Sequence, residues 1–309
     1  MVFFSRITDK IQTLFPPNEI SFALAGGGCK ALYALGVGYR IRSWGLKIKE
    51  ISGVSAGSAM ALMILSEAEE LSIEYFEELL KRNNSNFKLW NLITGKRPWP
   101  HESMYRRTIR YGIDFEKIGR SGVRIFIATV KAFPRKNIWK NYWNKLQLIP
   151  PTMRAFILDE LDKEQGKPCN RVDKIVKKWK LKEIVFTNED FKYPEVTEQI
   201  IMNSSSVPPI LSFQNINNEY YLDGSLTNNL LLEKFTPGRK KLAVYYDNTT
   251  LIGKDPSVLQ ETYFIKPKRK LPIEKFDYTN ATGARLAYEM GKEDAETHKN
   301  KIFSFLGLA

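Results

Sequence analysis

Short apolar runs that end in glycine or polar residues alternate along the chain with longer stretches in which apolar positions recur every third or fourth residue. The runs at 20–25, 48–52, Val123 to Val130, Glu183 to Thr187, Tyr220 to Leu222 and Leu242 to Tyr246 have the length and content of strands. A helical period fills 29–44, 56–68 and 71–82 and predicts helices there. This alternation predicts an α/β fold, a three-layer sandwich with a mainly parallel central sheet and helices on both faces. Two stretches depart from the rhythm. Residues 131–180, rich in Trp, Lys, Asn and Pro, read as an insertion. Residues 1–18 read as an amphipathic segment in which Phe3, Phe4, Ile7, Ile11, Leu14 and Phe15 share helical spacing, with Arg6 and Lys10 elsewhere on the wheel. Such a helix packs on the domain or lies in a membrane interface. Residues 19–309 are expected to form one domain, for which 43% hydrophobic content supplies an ample core.

Chemistry concentrates where strands are expected to end. Gly53-Val54-Ser55-Ala56-Gly57 follows a strand end and runs into the helical pattern beginning at Ser58. That strand–turn–helix context is what a nucleophile elbow requires, since the sharp turn lifts the serine hydroxyl above the sheet edge. A tight turn built from small residues is the plainer alternative. Upstream, Gly26-Gly27-Gly28-Cys29-Lys30 lies between a strand and a helix, so several backbone N–H groups face one point and can hold an anion. Beside a nucleophilic serine that anion is the oxyanion of acyl transfer, with Lys30 adding positive charge. A dinucleotide site fits the same glycines loosely, with Glu50 as the ribose-binding acid, but leaves the elbow unexplained. No phosphate-loop pattern is present. Asp223-Gly224-Ser225 follows a short strand pattern and places a carboxylate at a third strand end.

Together these elements resemble the patatin-like phospholipases, a family of lipid acyl hydrolases. The resemblance rests on the glycine loop, the elbow, Asp223-Gly224, and Asn203-Ser204-Ser205-Ser206-Val207-Pro208-Pro209-Ile210 before the aspartate strand. It covers roughly residues 20–235. Ala31 stands where the family often has glycine, and Ser225 where Gly or Ala is usual. The resemblance implies a patatin-like fold and a Ser–Asp dyad, with Ser55 the nucleophile and Asp223 its base. Backbone N–H groups of the loop from Gly26 through Gly27, Gly28 and Cys29 to Lys30 would form the oxyanion hole. The implied reaction is cleavage of acyl esters in phospholipids or related lipids through an acyl-serine, as in a phospholipase A or lysophospholipase, with no cofactor and no metal. The 131–180 insertion is then expected over the active-site edge. From about 246 onward no family motif is visible.

The remaining residues define the alternatives. His101 and His298 are the two histidines, and the order Ser55, Asp223, His298 copies a Ser–Asp–His triad esterase. His298, however, lies in a highly charged helical stretch that reads as a solvated face, and His101 begins another helix in what reads as a capping or surface position. A catalytically silent lipid-binding protein of the same fold is the other alternative. Cys29 and Cys169 are too few for a disulfide framework and suit a reducing compartment. Cys29 reads as a packing residue, not a second nucleophile. The net charge of +13, concentrated around Lys174 to Lys182 and Lys266 to Lys270, raises nucleic acid, anionic membrane and plain solubility as explanations. No nucleic-acid-binding motif accompanies it, so peripheral contact with an anionic membrane is the expectation. No Sec signal or long apolar span is evident, and a cytoplasmic protein is expected.

Overall fold

The computed structural model describes residues 15–134, 137–165, 167, 169–191, 193–216, 218–246, 248–251 and 253–308. The amphipathic segment expected at the N-terminus therefore lies almost wholly outside the described residues. The apolar runs pair into one sheet from β1 (Glu19–Leu24), β2 (Lys47–Val54), β3 (Arg124–Pro134), β4 (Lys182–Phe186), β5 (Gln214–Ile216), β6 (Glu219–Asp223), β7 (Lys241–Val244) and β8 (Thr262–Ile265). Their order is β5-β6-β3-β2-β1-β7-β8, with β4 also bonded to β3. The five strands β3-β2-β1-β7-β8 are parallel. The other three are antiparallel additions at the β3 side. β5 and β8 carry no clear period in the sequence because both are short and neither is buried throughout.

The helices are α1 (Leu32–Ser43), α2 (Ala56–Leu65), α3 (Glu69–Lys81), α4 (Leu89–Ile93), α5 (His101–Gly112), α6 (Phe115–Arg120), α7 (Ile138–Glu164), α8 (Arg171–Trp179), α9 (Pro194–Ser204), α10 (Pro256–Gln260) and α11 (Ala281–Leu306). Strand residues alternate between two cores, as a period of two demands. Phe22, Leu24, Ile51, Ile127 and Val244 join a large core with side chains of α1, α2, α3 and α11. Ala23, Val54, Phe126, Ala128 and Ala243 face a thinner layer made by Leu230, Leu231, Leu232, Phe235 and α10. α2 is buried on every side, which explains why it is apolar all round. The expected three layers are present, but the second helical face is thin. The expected break in rhythm is the pair α7–α8, packed on β3 and β6 around Val130, Leu148, Leu181 and Leu222. It starts later than expected, because residues 131–134 still belong to β3.

α11 lies against α1 through glycines. A Cβ on Gly36 would come within 2.0 Å of the Tyr288 carbonyl oxygen, and one on Gly291 within 2.0 Å of that of Tyr33. Tyr33 also donates to Asp294 at 3.0 Å. Helix backbones this close leave no room for even a methyl group. Gly291→Val is therefore expected to lower stability by about 3 kcal/mol in urea denaturation. Gly119→Ala, on α6 with nothing within 4 Å of its Cβ, is expected to raise it by up to about 1 kcal/mol.

Candidate active site

Two strands that end at adjacent residues of β3 bring Ser55 and Asp223 together. β2 runs parallel to β3 and its last residue, Val54, pairs with Ala128. β6 runs antiparallel and its last residue, Asp223, pairs with Thr129. Ser55 Oγ donates to Asp223 Oδ2 at 2.5 Å, and the Ser225 N–H holds Oδ1 at 2.8 Å. Both side chains are buried. Burial raises the Asp223 carboxyl above its ordinary range, while the hydrogen bonds from Ser55 and Ser225 and the nearby charge of Lys275 pull it back. The site therefore holds a carboxylate that is more basic than in water.

The elbow is held under strain. Ser55 has φ 54° and ψ −133°, a conformation that costs a non-glycine residue on the order of 1–3 kcal/mol. Its flanking glycines serve close approach instead: a Cβ on Gly53 would lie 2.5 Å from Ser58 Cα, and one on Gly57 2.6 Å from the carbonyl oxygens of Leu24 and Ala25. A serine relay pins the turn. Ser204 Oγ accepts from the Ser55 N–H at 2.8 Å and donates to the Ala128 carbonyl at 2.6 Å. Ser206 contributes its carbonyl to the Asp223 N–H at 2.9 Å. The segment from Asn203 to Ile210 thus ties both strand ends. Gly224 sits where a Cβ would meet the Ala128 carbonyl at 2.4 Å.

The glycine loop stands over this pair, and its N–H groups are not equivalent. That of Gly26 donates to Asn229 Oδ1 at 2.8 Å. Those of Cys29 and Lys30 donate to the carbonyls of Lys275 and Gly27, at 2.9 and 3.1 Å. The N–H groups of Gly27 and Gly28 find no acceptor among the described residues. Gly28 has φ 56° and lies where a Cβ would strike the Lys275 carbonyl at 2.1 Å. Lys30 pairs with Glu274 at 3.5 Å. The Cys29 thiol is buried, with Sγ 3.6 Å from the Asp277 carbonyl, and burial pushes its pKa far up, so it packs and does not ionise.

Two apolar pockets flank the pair. One is lined by Ser55, Leu32, Met60, Phe76, Leu211 and Tyr278, the other by Asp223, Leu148, Met153, Phe156, Phe213 and Leu226. The second pocket takes a wall from α7. Neither histidine hydrogen-bonds Ser55 or Asp223. His101 is not a surface or capping residue but is buried, its Nε2 2.9 Å from the Phe276 carbonyl and its ring against Tyr278. Burial lowers its pKa. His298 lies on α11 with Nδ1 2.7 Å from the Tyr263 hydroxyl. Glu50 does not stand free for a ribose: it is buried and takes hydrogen bonds from Ser21, Arg124 and Thr236.

Asn229, Tyr105, Lys275 and Tyr278 surround the site without having been singled out from the sequence. Ser204 lies in a recognisable motif, but its two bonds depend on Ala128 and Ser55, both distant in the chain. Lys275 and Tyr278 belong to a C-terminal stretch with no motif. Ser204→Ala would leave the buried Ser55 N–H without a partner. It is expected to cost about 1–3 kcal/mol in chemical denaturation, whereas Ser103→Ala, at an exposed helix position, is expected to change stability by less than about 0.5 kcal/mol.

Comparison with known proteins identifies the family. The model of the family described as patatin-like phospholipase matches residues 22–236. Comparison with curated proteins gives no match. Among solved structures, that of VipD from Legionella pneumophila is similar at 10% identity, over 91% of this chain and 67% of that one, with a TM-score of 0.37. That likeness is too slight to add to the family match. The matched span begins in β1 and ends just beyond Phe235, so it takes in the glycine loop, the elbow, the serine segment and the aspartate strand. The chain belongs to the patatin-like phospholipase family.

Proposed function

We propose that this protein is a serine hydrolase that cleaves acyl esters of phospholipids or related lipids through a Ser55–Asp223 dyad. The observation that carries the proposal is the 2.5 Å bond from Ser55 Oγ to a buried, raised-pKa carboxylate, with apolar pockets on both sides. Ser55 Oγ attacks the ester carbonyl carbon as its proton passes to Asp223 Oδ2. Negative charge on the carbonyl oxygen is met by the N–H groups of Gly27 and Gly28, the two in the loop without an acceptor among the described residues. The positive end of α2, which begins at Ala56, favours the same charge. Collapse of the intermediate breaks the bond to the alcohol, which leaves with the proton from Asp223. Water, deprotonated by the same carboxylate, then attacks the acyl-serine and frees the fatty acid. Tyr105 supports the site indirectly: its buried hydroxyl sits 3.1 Å from Ser205 Oγ.

The pockets support a substrate with two apolar arms about the scissile ester. The Ser55 pocket suits the acyl chain, because it opens directly at the nucleophile. The Asp223 pocket, walled by α7, suits apolar parts of the leaving group. On this reading the pocket-lining residues of α7, among them Leu148, Met153 and Phe156, belong to the substrate-binding surface.

Ser55→Ala is expected to abolish release of fatty acid from mixed phospholipids and to lose fluorophosphonate labelling while keeping its circular dichroism. Equal labelling of both forms would put the nucleophile elsewhere. Asp223→Asn is expected to lower turnover by about three orders of magnitude or more, and His298→Ala by less than about tenfold. Activity requires the ionised carboxylate, so kcat/KM is expected to fall as pH drops through a pKa above the ordinary range of aspartate. An acid limb at or below the ordinary aspartate value would overturn Asp223 as the base.

A further inference from the structure

α7 carries apolar side chains both on its packed side and along an exposed stripe. Its inner stripe, through Leu148, Ala155 and the pocket-lining Met153 and Phe156, packs inward. Its outer stripe leaves Trp139 76% exposed, Trp143 58%, Leu146 44% and Ile157 52%. A helix with apolar side chains all round is normally covered on all sides. α4 presents the same anomaly in a short helix, where Trp90 is 70% and Ile93 72% exposed. Both segments fasten to the rim of the same site. Arg97, just after α4, donates to the Pro209 and Ile210 carbonyls beside the pocket residues Val207 and Leu211. Phe156 of α7 lies under the Lys275 ammonium, 5.2 Å from its ring centroid, and Lys275 lines the Ser55 pocket.

In the stretches of sequence that carry the exposed tryptophans the formal charge is positive. Residues 82–101 contain Arg82, Lys88, Lys96 and Arg97 and no Asp or Glu, with Arg82 paired to Glu78 and Arg97 to Glu102 at either end. Residues 137–158 contain Lys140, Lys145 and Arg154 and again no acid, the acids of α7 (Asp159, Glu160, Asp162 and Glu164) being confined to its C-terminal end. Tryptophan with flanking lysine and arginine, and without carboxylates, is the composition of a segment lying in the headgroup region of an anionic bilayer. From this we infer that α4 and the outer face of α7 form the membrane-docking rim of the site and seat it on anionic lipid. The surface differs from the basic segments around Lys177 and Lys268, which carry charge without a comparable exposed apolar stripe. The inference rests on the acyl-hydrolase reading for the identity of the lipid, since the docked face is the one through which an acyl chain reaches Ser55.

The test uses the full chain and two exposed double variants, Trp139→Ser with Trp143→Ser, and Leu89→Ser with Trp90→Ser. Partition onto equimolar phosphatidylglycerol and phosphatidylcholine vesicles is measured by sedimentation, beside hydrolysis of a water-soluble short-chain ester. Each double variant is expected to bind vesicles at least about tenfold less than the wild type and to lose vesicle hydrolysis in step, with soluble-ester turnover unchanged. Tryptophan emission of the wild type is expected to shift to the blue on binding, and less in the first variant. Vesicle binding equal to wild type would overturn the docking rim. So would a wild-type dimer in light scattering that the variants dissolve, because the face would then be covered by a second copy. Binding that depends on these residues, in a protein that hydrolyses neither substrate, would leave the rim standing and remove the hydrolase reading instead.

Discussion

Everything at the site depends on β3 being long enough to serve two strands in succession. Its residues 124–128 pair with β2 and its residues 129–134 with β6, in opposite senses. The two strand ends therefore meet at adjacent residues of β3, and Ser55 reaches Asp223, 168 positions away in sequence, without any long flexible side chain. Short side chains on strand ends lose little rotamer freedom on being fixed. Ala128 also accepts from Ser204, so the same peptide that sets the register anchors the relay holding the strained Ser55. A slip of β6 by one residue would turn Asp223 to the opposite face of the sheet.

Burial and polarity oppose each other here, and the geometry balances them. Asp223 loses water and is raised by that loss, yet it keeps two hydrogen-bond donors. Such an arrangement raises the carboxyl above its ordinary range while both of its oxygens keep a donor. The loop above is built on a similar contrast. Three of its N–H groups are committed to Asn229, Lys275 and Gly27, which rigidifies it, and those of Gly27 and Gly28 have no acceptor among the described residues. Preorganised donors of this kind need no rearrangement when charge develops against them.

The C-terminal stretch beyond residue 236 completes what the matched span begins. The stretch from Lys275 to Tyr278 accepts from Cys29, carries the carbonyl that meets His101, and lines the Ser55 pocket. Asn83 and Asn86 clasp it from the other side, through the Tyr278 carbonyl and the Asp277 carboxylate. α11 then locks that region to α1 through the contact at Gly36 and Gly291. A site whose motifs lie in residues 22–236 is thus walled by residues well beyond them.

The elbow, the glycine loop and Asp223-Gly224 were legible in the sequence because each is a local conformation with its own chemical signature: a turn that needs glycine, a nest of N–H groups, a carboxylate at a strand end. The main strands and helices were legible for a related reason, since burial on one face imposes its period on neighbouring residues. Tertiary structure alone decided what depends on partners far away in the chain. It turned three strands antiparallel, buried His101 instead of exposing it, and committed the N–H groups of Gly26, Cys29 and Lys30 to Asn229, Lys275 and Gly27, leaving those of Gly27 and Gly28. It also set α7 with one apolar face inward and another outward, which period and composition could not separate because both faces read alike. Hydrogen-bond partners and burial are properties of the packed chain. A sequence states which groups can bond, and only the fold determines which of them have already done so.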